Sequence, residues 1–179
     1  MQLWYTEFVD EEIQITDATT QDAHVIGQIQ SEAWLDSYAS PENGITKEDI
    51  QLKVDEWNKI GDTRIEDNLN NPNSRTWVVK IDEKIVGFSA VLKTENENKL
   101  EAIFILPKYQ GQGIGSKLLE TTLNWLGNSK KITTDVVSYN ERAKNLYKKF
   151  GFEETEETVD DVLTLPNGKI IPKILMVKS

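Results

Sequence analysis

A single mixed α/β domain is the fold class the sequence predicts, and three observations carry that prediction. The chain has 179 residues, enough for one well-filled core and short for two. Stretches of strand-like and helix-like hydrophobic period alternate, in the order strand, two helices, three strands, helix, strand, helix, two strands. No repeat, low-complexity tract or linker divides them, so one domain is expected over residues 1–179, with its core at about 13–177.

Each element has its own signal. Residues 13–16 (IQIT) alternate and are β-prone. Asp17, Thr19 and Thr20 offer caps for a helix to about Tyr38, in which Val25, Ile26, Ile29 and Ala33 fall at helical spacing. After the loop SPENG (40–44), Thr46 followed by Asp49 reads as the cap of a second helix, with Ile50, Val54 and Trp57 on one face. Gly61 interrupts it, and the polar run NLNNPNS (68–74) ends the helical region. Residues 76–81 (TWVVKI) and 84–93 (KIVGFSAVLK) flank Asp82-Glu83 as a hairpin. Residues 100–106 (LEAIFIL) are apolar on both faces except at Glu101, which predicts a buried strand. Pro107 stops that strand, since it has no N–H for a ladder. A glycine-rich turn then opens a helix with Ile114, Leu118, Leu119, Leu123 and Leu126 on its buried stripe. Residues 132–137 (ITTDVV) form a further strand, and Ala143, Leu146, Tyr147 and Phe150 mark the next helix. Two strands are expected after Gly151, joined by the PNGK turn at 166–169.

Composition narrows the function. No stretch approaches the roughly 20 apolar residues that span a bilayer. The N-terminal MQLWYTEFVDEE lacks the basic start and apolar run of a secretory signal, so a cytoplasmic protein without a membrane partner is expected. Cysteine is absent, which removes disulfides, thiolate metal sites and a cysteine nucleophile. With a single histidine, His24, little room is left for a Ser-His-Asp or metal-hydrolase mechanism; no metal is expected, and His24 reads as a surface residue. The net charge of −10 argues against nucleic acid as a partner. Residues 107–150 nevertheless carry eight basic against three acidic side chains. Such an island suggests a local polyanion site or a set of solvated lysines.

The informative stretch is 100–127, where a proline-terminated strand leads through QGQGIGS into an amphipathic helix. Glycines at 111, 113 and 115 allow a sharp turn and present bare N–H groups. The first N–H groups of a helix lack internal partners and sit at the positive end of its dipole, ready for phosphate or pyrophosphate. A Walker loop does not fit: counting from Gly111, its second glycine falls on Ser116 and its hydroxyl ligand on Leu118. This also disfavours a nucleotide-dependent kinase. A Rossmann fingerprint fails because its third glycine would fall on Ser116, and because it belongs near the first strand of a parallel sheet.

The segment Gln110-Gly111-Gln112-Gly113-Ile114-Gly115 resembles the [QR]-x-x-G-x-[GA] loop of the GCN5-related N-acetyltransferase (GNAT) family. Ile105-Leu106-Pro107 resembles the family's strand end, and residues 140–152 resemble its Asn-x-x-Ala-x-x-x-Tyr-x-x-x-Gly-Phe motif through Asn140, Ala143, Tyr147, Gly151 and Phe152. The resemblance implies an acyl-CoA N-acyltransferase fold, with a mixed twisted sheet of about seven strands flanked by about four helices. It also implies direct transfer of acetyl from acetyl-CoA to an amine. The backbone of Gln112, Gly113, Ile114, Gly115 and Ser116 would bind the pyrophosphate, with Gln110 and Gly111 completing the loop. Main chain of Phe104, Ile105 and Leu106 would pair with the pantetheine arm, the Leu106 N–H polarising the thioester carbonyl. Asn140 would cap its helix and, with Ala143, meet the cofactor arm.

Two side chains are candidates for proton transfer. Glu101 stands where many relatives place a glutamate, and burial would make it a better general base. Tyr147 matches the tyrosine that protonates the leaving thiolate in many relatives, although its place on an apolar stripe also suits a core aromatic. Trp34, Tyr38 and Trp57 either wall the acceptor site or pack the core. Glu153, Glu154, Glu156, Glu157, Asp160 and Asp161 either favour a cationic acceptor or form a solvated face. The acceptor, a small-molecule or peptide amine, is not identified by the sequence, and oligomeric state, homodimer included, stays open. The competing reading is a non-catalytic acyl-CoA-binding domain on the same fold.

Overall fold

In the computed structural model, which describes residues 13–156 and 162–179, strand β1 (Gln14–Asp17) pairs antiparallel with β2 (Ser74–Ile81). The N-terminal segment and Glu157, Asp160 and Asp161 lie outside the described residues. The antiparallel run continues through β3 (Lys84–Lys93) and β4 (Asn98–Ile105). Asp82 and Glu83 both adopt positive φ, 48° and 62°, the backbone a two-residue hairpin turn requires. From β4 the chain crosses through α4 (Ile114–Leu126) to β5 (Ile132–Val137), which runs parallel to β4.

That parallel pairing covers only Asn98 with Ile132 and Lys99 with Thr133. Beyond those residues the two strands part. On its other edge β5 pairs with β9 (Lys173–Lys178), which also carries β6 (Glu153–Glu154), so the sheet order is β1-β2-β3-β4-β5-β9-β6.

Strand alternation assigns the faces. Trp77, Val79 and Ile81 pack with Ile114, Leu118, Leu119 and Leu126 of α4, while Val78 turns to Ile26 and Ile29 of α1 (Ala23–Ser37). Fully burying one such aliphatic side chain contributes roughly 1.5–3 kcal/mol, so the α4 stripe alone is a large term in stability. Helix α5 (Glu141–Lys149) adds Tyr147 and Leu146 to the α4 side. Helix α2 (Lys47–Ile60) packs Ile50 and Val54 against Trp34 of α1. Its start is fixed as the sequence predicts, by a reciprocal capping box: Asp49 N–H donates to Thr46 Oγ1, and Thr46 N–H to Asp49 Oδ2.

Three elements differ from the sequence expectation. Residues read as the end of the helical region form a further helix, α3 (Thr63–Asn70), so five helices are described rather than four. Gly61, at φ 72°, separates it from α2, and Ile65 anchors it so close to α1 that a methyl group on Gly27 would meet Ile65 Cδ1 at 3.2 Å. The PNGK turn does not join two strands of the main sheet. It joins β7 (Leu163–Thr164) and β8 (Ile170–Ile171), a separate ribbon that buries Leu165 and Ile171 against Trp34, Ile45 and Ile50. Finally, β4 begins at Asn98 rather than at residue 100, because Asn98 is buried with its Nδ2 donating to the Leu126 carbonyl at 3.2 Å.

Candidate active site

Where β4 and β5 part, a cleft of about 560 Å³ opens, bounded by the end of α1 and the starts of α4 and α5. Its floor begins with the loop after β4. Leu106 leads into a short 3-10 turn (Pro107–Tyr109), and Gln110 Nε2 donates back to the Ile105 carbonyl at 2.8 Å. Gly111 and Gly113 then take φ of 79° and 81°, a left-handed backbone that favours glycine, with no atom within 4 Å of where a side chain would start.

Gly113 is the N-cap of α4, and the first helical bond is Lys117 N–H to the Gly113 carbonyl, 3.1 Å. Among the described residues, no hydrogen bond is formed by the N–H groups of residues 111–116. The loop therefore offers a row of unspent donors at the positive end of a helix. Gly111, Gly113, Gly115 and Ser116 line the cleft. Gln112 and Ile114 are not among the lining residues: Gln112 Nε2 reaches the Lys108 carbonyl, and Ile114 is buried in the core.

Of the basic island, Arg142 alone lines the cleft among the described residues, while Lys108 and Lys117 flank the loop in sequence. Lys130 donates to the Thr94 carbonyl and Lys131 pairs with Glu97, both at the far end of α4. Lys144, Lys148 and Arg142 pair with Glu141, Glu154 and Asp36.

The edge of β4 corrects one expected role. Leu106 N–H donates to the Val86 carbonyl at 2.8 Å, so it is spent within the sheet, and the Leu106 side chain is buried beside Ile26 and Phe88, away from the cleft. Because an antiparallel residue sends N–H and C=O to the same side and successive residues alternate, Ile103 and Ile105 face the cleft instead. Phe104 contributes its ring to the lining.

On the opposite wall Asn140 Oδ1 accepts from Ala143 N–H at 3.1 Å and caps α5, the expected arrangement; both residues line the cleft. Tyr147 is buried at the cleft's inner end. Burial pushes its phenol up to about 12, partly offset by a hydrogen bond with Thr134. Tyr38 closes the α1 side and is also raised, first by burial and then by Tyr147, Tyr139 and Asp135 nearby. Tyr139, which donates from its hydroxyl to the Tyr38 carbonyl at 2.7 Å, is a lining residue the sequence reading missed, although it immediately precedes the Asn140 motif. Trp34 and Trp57 pack edge to face in the core rather than lining the cleft, their ring centroids 4.4 Å apart.

Glu101 is exposed, a correction to the buried position expected of it. Ala90 lies opposite Ala102 and Val91 opposite Leu100, so Glu101 is the extra residue of a β-bulge. The bulge turns it out of the alternation that an apolar strand implies, to the place where its carboxylate lines the cleft and accepts from Asn68 Nδ2 at 2.9 Å. His24 lies on the surface with Asp62 at 3.2 Å, as expected.

Residues 32–152 match the model of the acetyltransferase (GNAT) family. The chain belongs to that family. Among curated GNAT relatives, it is 38% identical over 93 residues to the peptidyl-lysine N-acetyltransferase YjaB of Salmonella typhimurium, covering 51% of this chain and 59% of that one. It is 34% identical over 104 residues to YjaB of Escherichia coli, covering 56% and 66%. The chain thus spans about three-fifths of the length of the curated relatives it matches. The GNAT fold extends further: the PaiA N-acetyltransferase of Thermoplasma acidophilum, solved with coenzyme A, superposes with a TM-score of 0.75 over 94% of this chain and 99% of that one, at 19% identity. The ribosomal-protein-S18-alanine N-acetyltransferase of Escherichia coli gives 0.68 over 93% of each chain, at 21% identity. At such identities the structural likeness establishes the fold alone.

Proposed function

We propose that this GNAT chain is an N-acetyltransferase that passes acetyl from acetyl-CoA to a primary amine by direct attack in a ternary complex. One observation carries the reading: the loop with unspent amides at residues 111–116 meets the cleft between β4 and β5 at Gly111, Gly113, Gly115 and Ser116. The fit to coenzyme A is physical, since bare N–H groups at a helix start suit a diphosphate and an unpaired strand edge suits an amide-bearing arm.

When bound, acetyl-CoA supplies an acyl group activated as a thioester. The chain does the rest. Amides of residues 111–116 hold the diphosphate, and Gln110 keeps their loop tied to the end of β4. Ile103 and Ile105 present amides to the arm, and the Ile105 N–H takes the polarising role expected of Leu106. Glu101 receives the amine proton through water. Tyr147 supplies a hydrogen bond to the departing sulfur. Full proton transfer from a phenol raised to about 12 to a thiolate of ordinary basicity, about 8.5, would run uphill by roughly 5 kcal/mol. Its role is therefore stabilisation of developing charge, with the proton taken finally from solvent.

The test is calorimetry with acetyl-CoA, followed by thiol-release assays against a panel of diamines, aminoglycosides, and peptides with free lysine or N-terminal amines. Saturable binding and release with at least one amine are expected. Binding without release for any amine would favour an acyl-CoA-binding domain, and no binding would overturn the site itself.

A further inference from the structure

Helix α3, which the sequence pattern concealed, approaches the bulge in β4. Asn68 Nδ2 donates to Glu101 Oε2 at 2.9 Å, while Asn68 Oδ1 is buried with no partner among the described residues. One turn earlier, Arg64 brings positive charge within electrostatic reach of Glu101. Arg64 is itself fixed, donating to Gln30 Oε1 at 2.5 Å and lying 5.1 Å over the Trp57 ring. These side chains line a second hollow of about 200 Å³ on the α1–α3 face, and Glu101 and Ala102 line both this hollow and the main cleft. The two spaces meet at the bulge.

We propose that Asn68 is a positioning residue that aims the Glu101 carboxylate into the acceptor end of the cleft. The inference rests on Glu101 as the base of the proposed acetyl transfer. The physical need is plain. An exposed glutamate on a bulge samples several rotamers, and a base must hold its oxygen within hydrogen-bond reach of the proton it accepts. A donor mounted on a packed helix selects one of those rotamers. The proton then moves from the amine nitrogen through water to Glu101 and onward to solvent, with no change in oxidation state. Arg64 is the charged side chain that lines the hollow with Glu101, and Asp36, Asp135, Glu141 and Arg142 share the main cleft with it.

The test is a double-mutant cycle between Asn68→Leu and Glu101→Gln on the full chain. Asn68→Leu removes both polar atoms at similar volume and avoids a new orphaned group. Its expected effect is about a tenfold lower kcat, part of the 10²–10⁴ range for a positioned base, with KM for acetyl-CoA unchanged. Asn68→Gln should restore part of the rate, and in the Glu101→Gln background Asn68→Leu should cost nothing more. Multiplicative losses, or no recovery of rate in Asn68→Gln, would overturn the assignment. Full activity of Glu101→Gln would instead remove the base itself, so the two failures are distinguishable. If Asn68→Leu unfolds, Asn68→Ser in the same cycle reads the same coupling.

Discussion

Gly87 lies opposite Ile105 across β3 and β4, so close that a methyl group there would collide with Ile105 Cδ1 and stand 2.7 Å from the Phe104 carbonyl oxygen. A backbone oxygen cannot swing aside, so Gly87→Ala must displace the end of β4, where the cleft-facing amides begin. Overpacking of this kind costs roughly 1–3 kcal/mol. A Tm lower by several degrees and weaker acetyl-CoA binding by calorimetry are expected; binding at full strength would show that the strand end has slack.

The glycine loop separates conformational need from simple space. Gly113→Val places a β-branched residue at φ 81°, where a non-glycine residue is strained by about 1–2 kcal/mol, so the backbone that aims the donor amides must shift. A methyl group on Gly115 would only touch Leu146 Cδ2 at 3.6 Å, an ordinary contact. Acetyl-CoA affinity should therefore fall roughly tenfold or more in Gly113→Val and stay near wild type in Gly115→Ala. Equal losses in both would mean that the loop is read by side-chain bulk instead of by its amides.

Tyr147→Phe keeps the ring among its neighbours and removes one hydroxyl. The hydrogen bond with Thr134 goes with it, for a stability loss of about 0.5–1.5 kcal/mol. Turnover should drop about tenfold, the scale of one lost neutral donor. Burial holds the phenol protonated up to about pH 12, so Tyr147 contributes no alkaline limb between pH 6 and roughly 10. Wild type and variant should share the shape of their pH–rate profiles over that range. A limb that disappears in Tyr147→Phe would contradict the assignment.

The ribbon of β7 and β8 is clamped by one acid. Lys169 Nζ donates to Asp49 Oδ2 at 2.5 Å and Asn167 Nδ2 to Asp49 Oδ1 at 2.7 Å. Lys169 first, then the Thr46 backbone, hold the Asp49 carboxyl at about 2, below its ordinary 3.8. A depressed carboxyl contributes stability above its unfolded value and loses it as pH falls through the folded one. Thermal melts of wild type and Lys169→Met should differ at pH 5 and above, converge between about pH 4 and 2, and coincide below. A constant gap down to pH 2 would remove the carboxylate as the cause.

Much of this architecture was legible because it rests on local pattern. The period of Ile114, Leu118 and Leu119, the Thr46–Asp49 box and the glycines before α4 each act within a few residues. Helix α3 was not, because TRIEDNLN carries only Ile65 and Leu69 as apolar residues and its asparagines favour turns. The direction of the Leu106 amide depends on strand register, which no single segment reveals. Glu101 was misplaced for the same reason: a bulge is a relation between β3 and β4, and an apolar strand pattern conceals it. Of the two readings the basic island allowed, the fold favours separate surface partners for Lys130, Lys131 and Lys148, which are close in sequence but pair with Thr94, Glu97 and Glu154.

Beyond Lys99, β4 exposes the kind of unpaired edge that invites strand addition by other chains and hence aggregation. Most proteins guard such an edge at the rim of a sheet with charge, proline or a short strand. Here it is recessed in mid-sheet, flanked by Tyr38 on one side and by Asn140 and Tyr147 on the other. The gap that makes β4 a place where a slender, flexible chain can lie is therefore the same gap that withdraws its bare edge from the rim of the sheet.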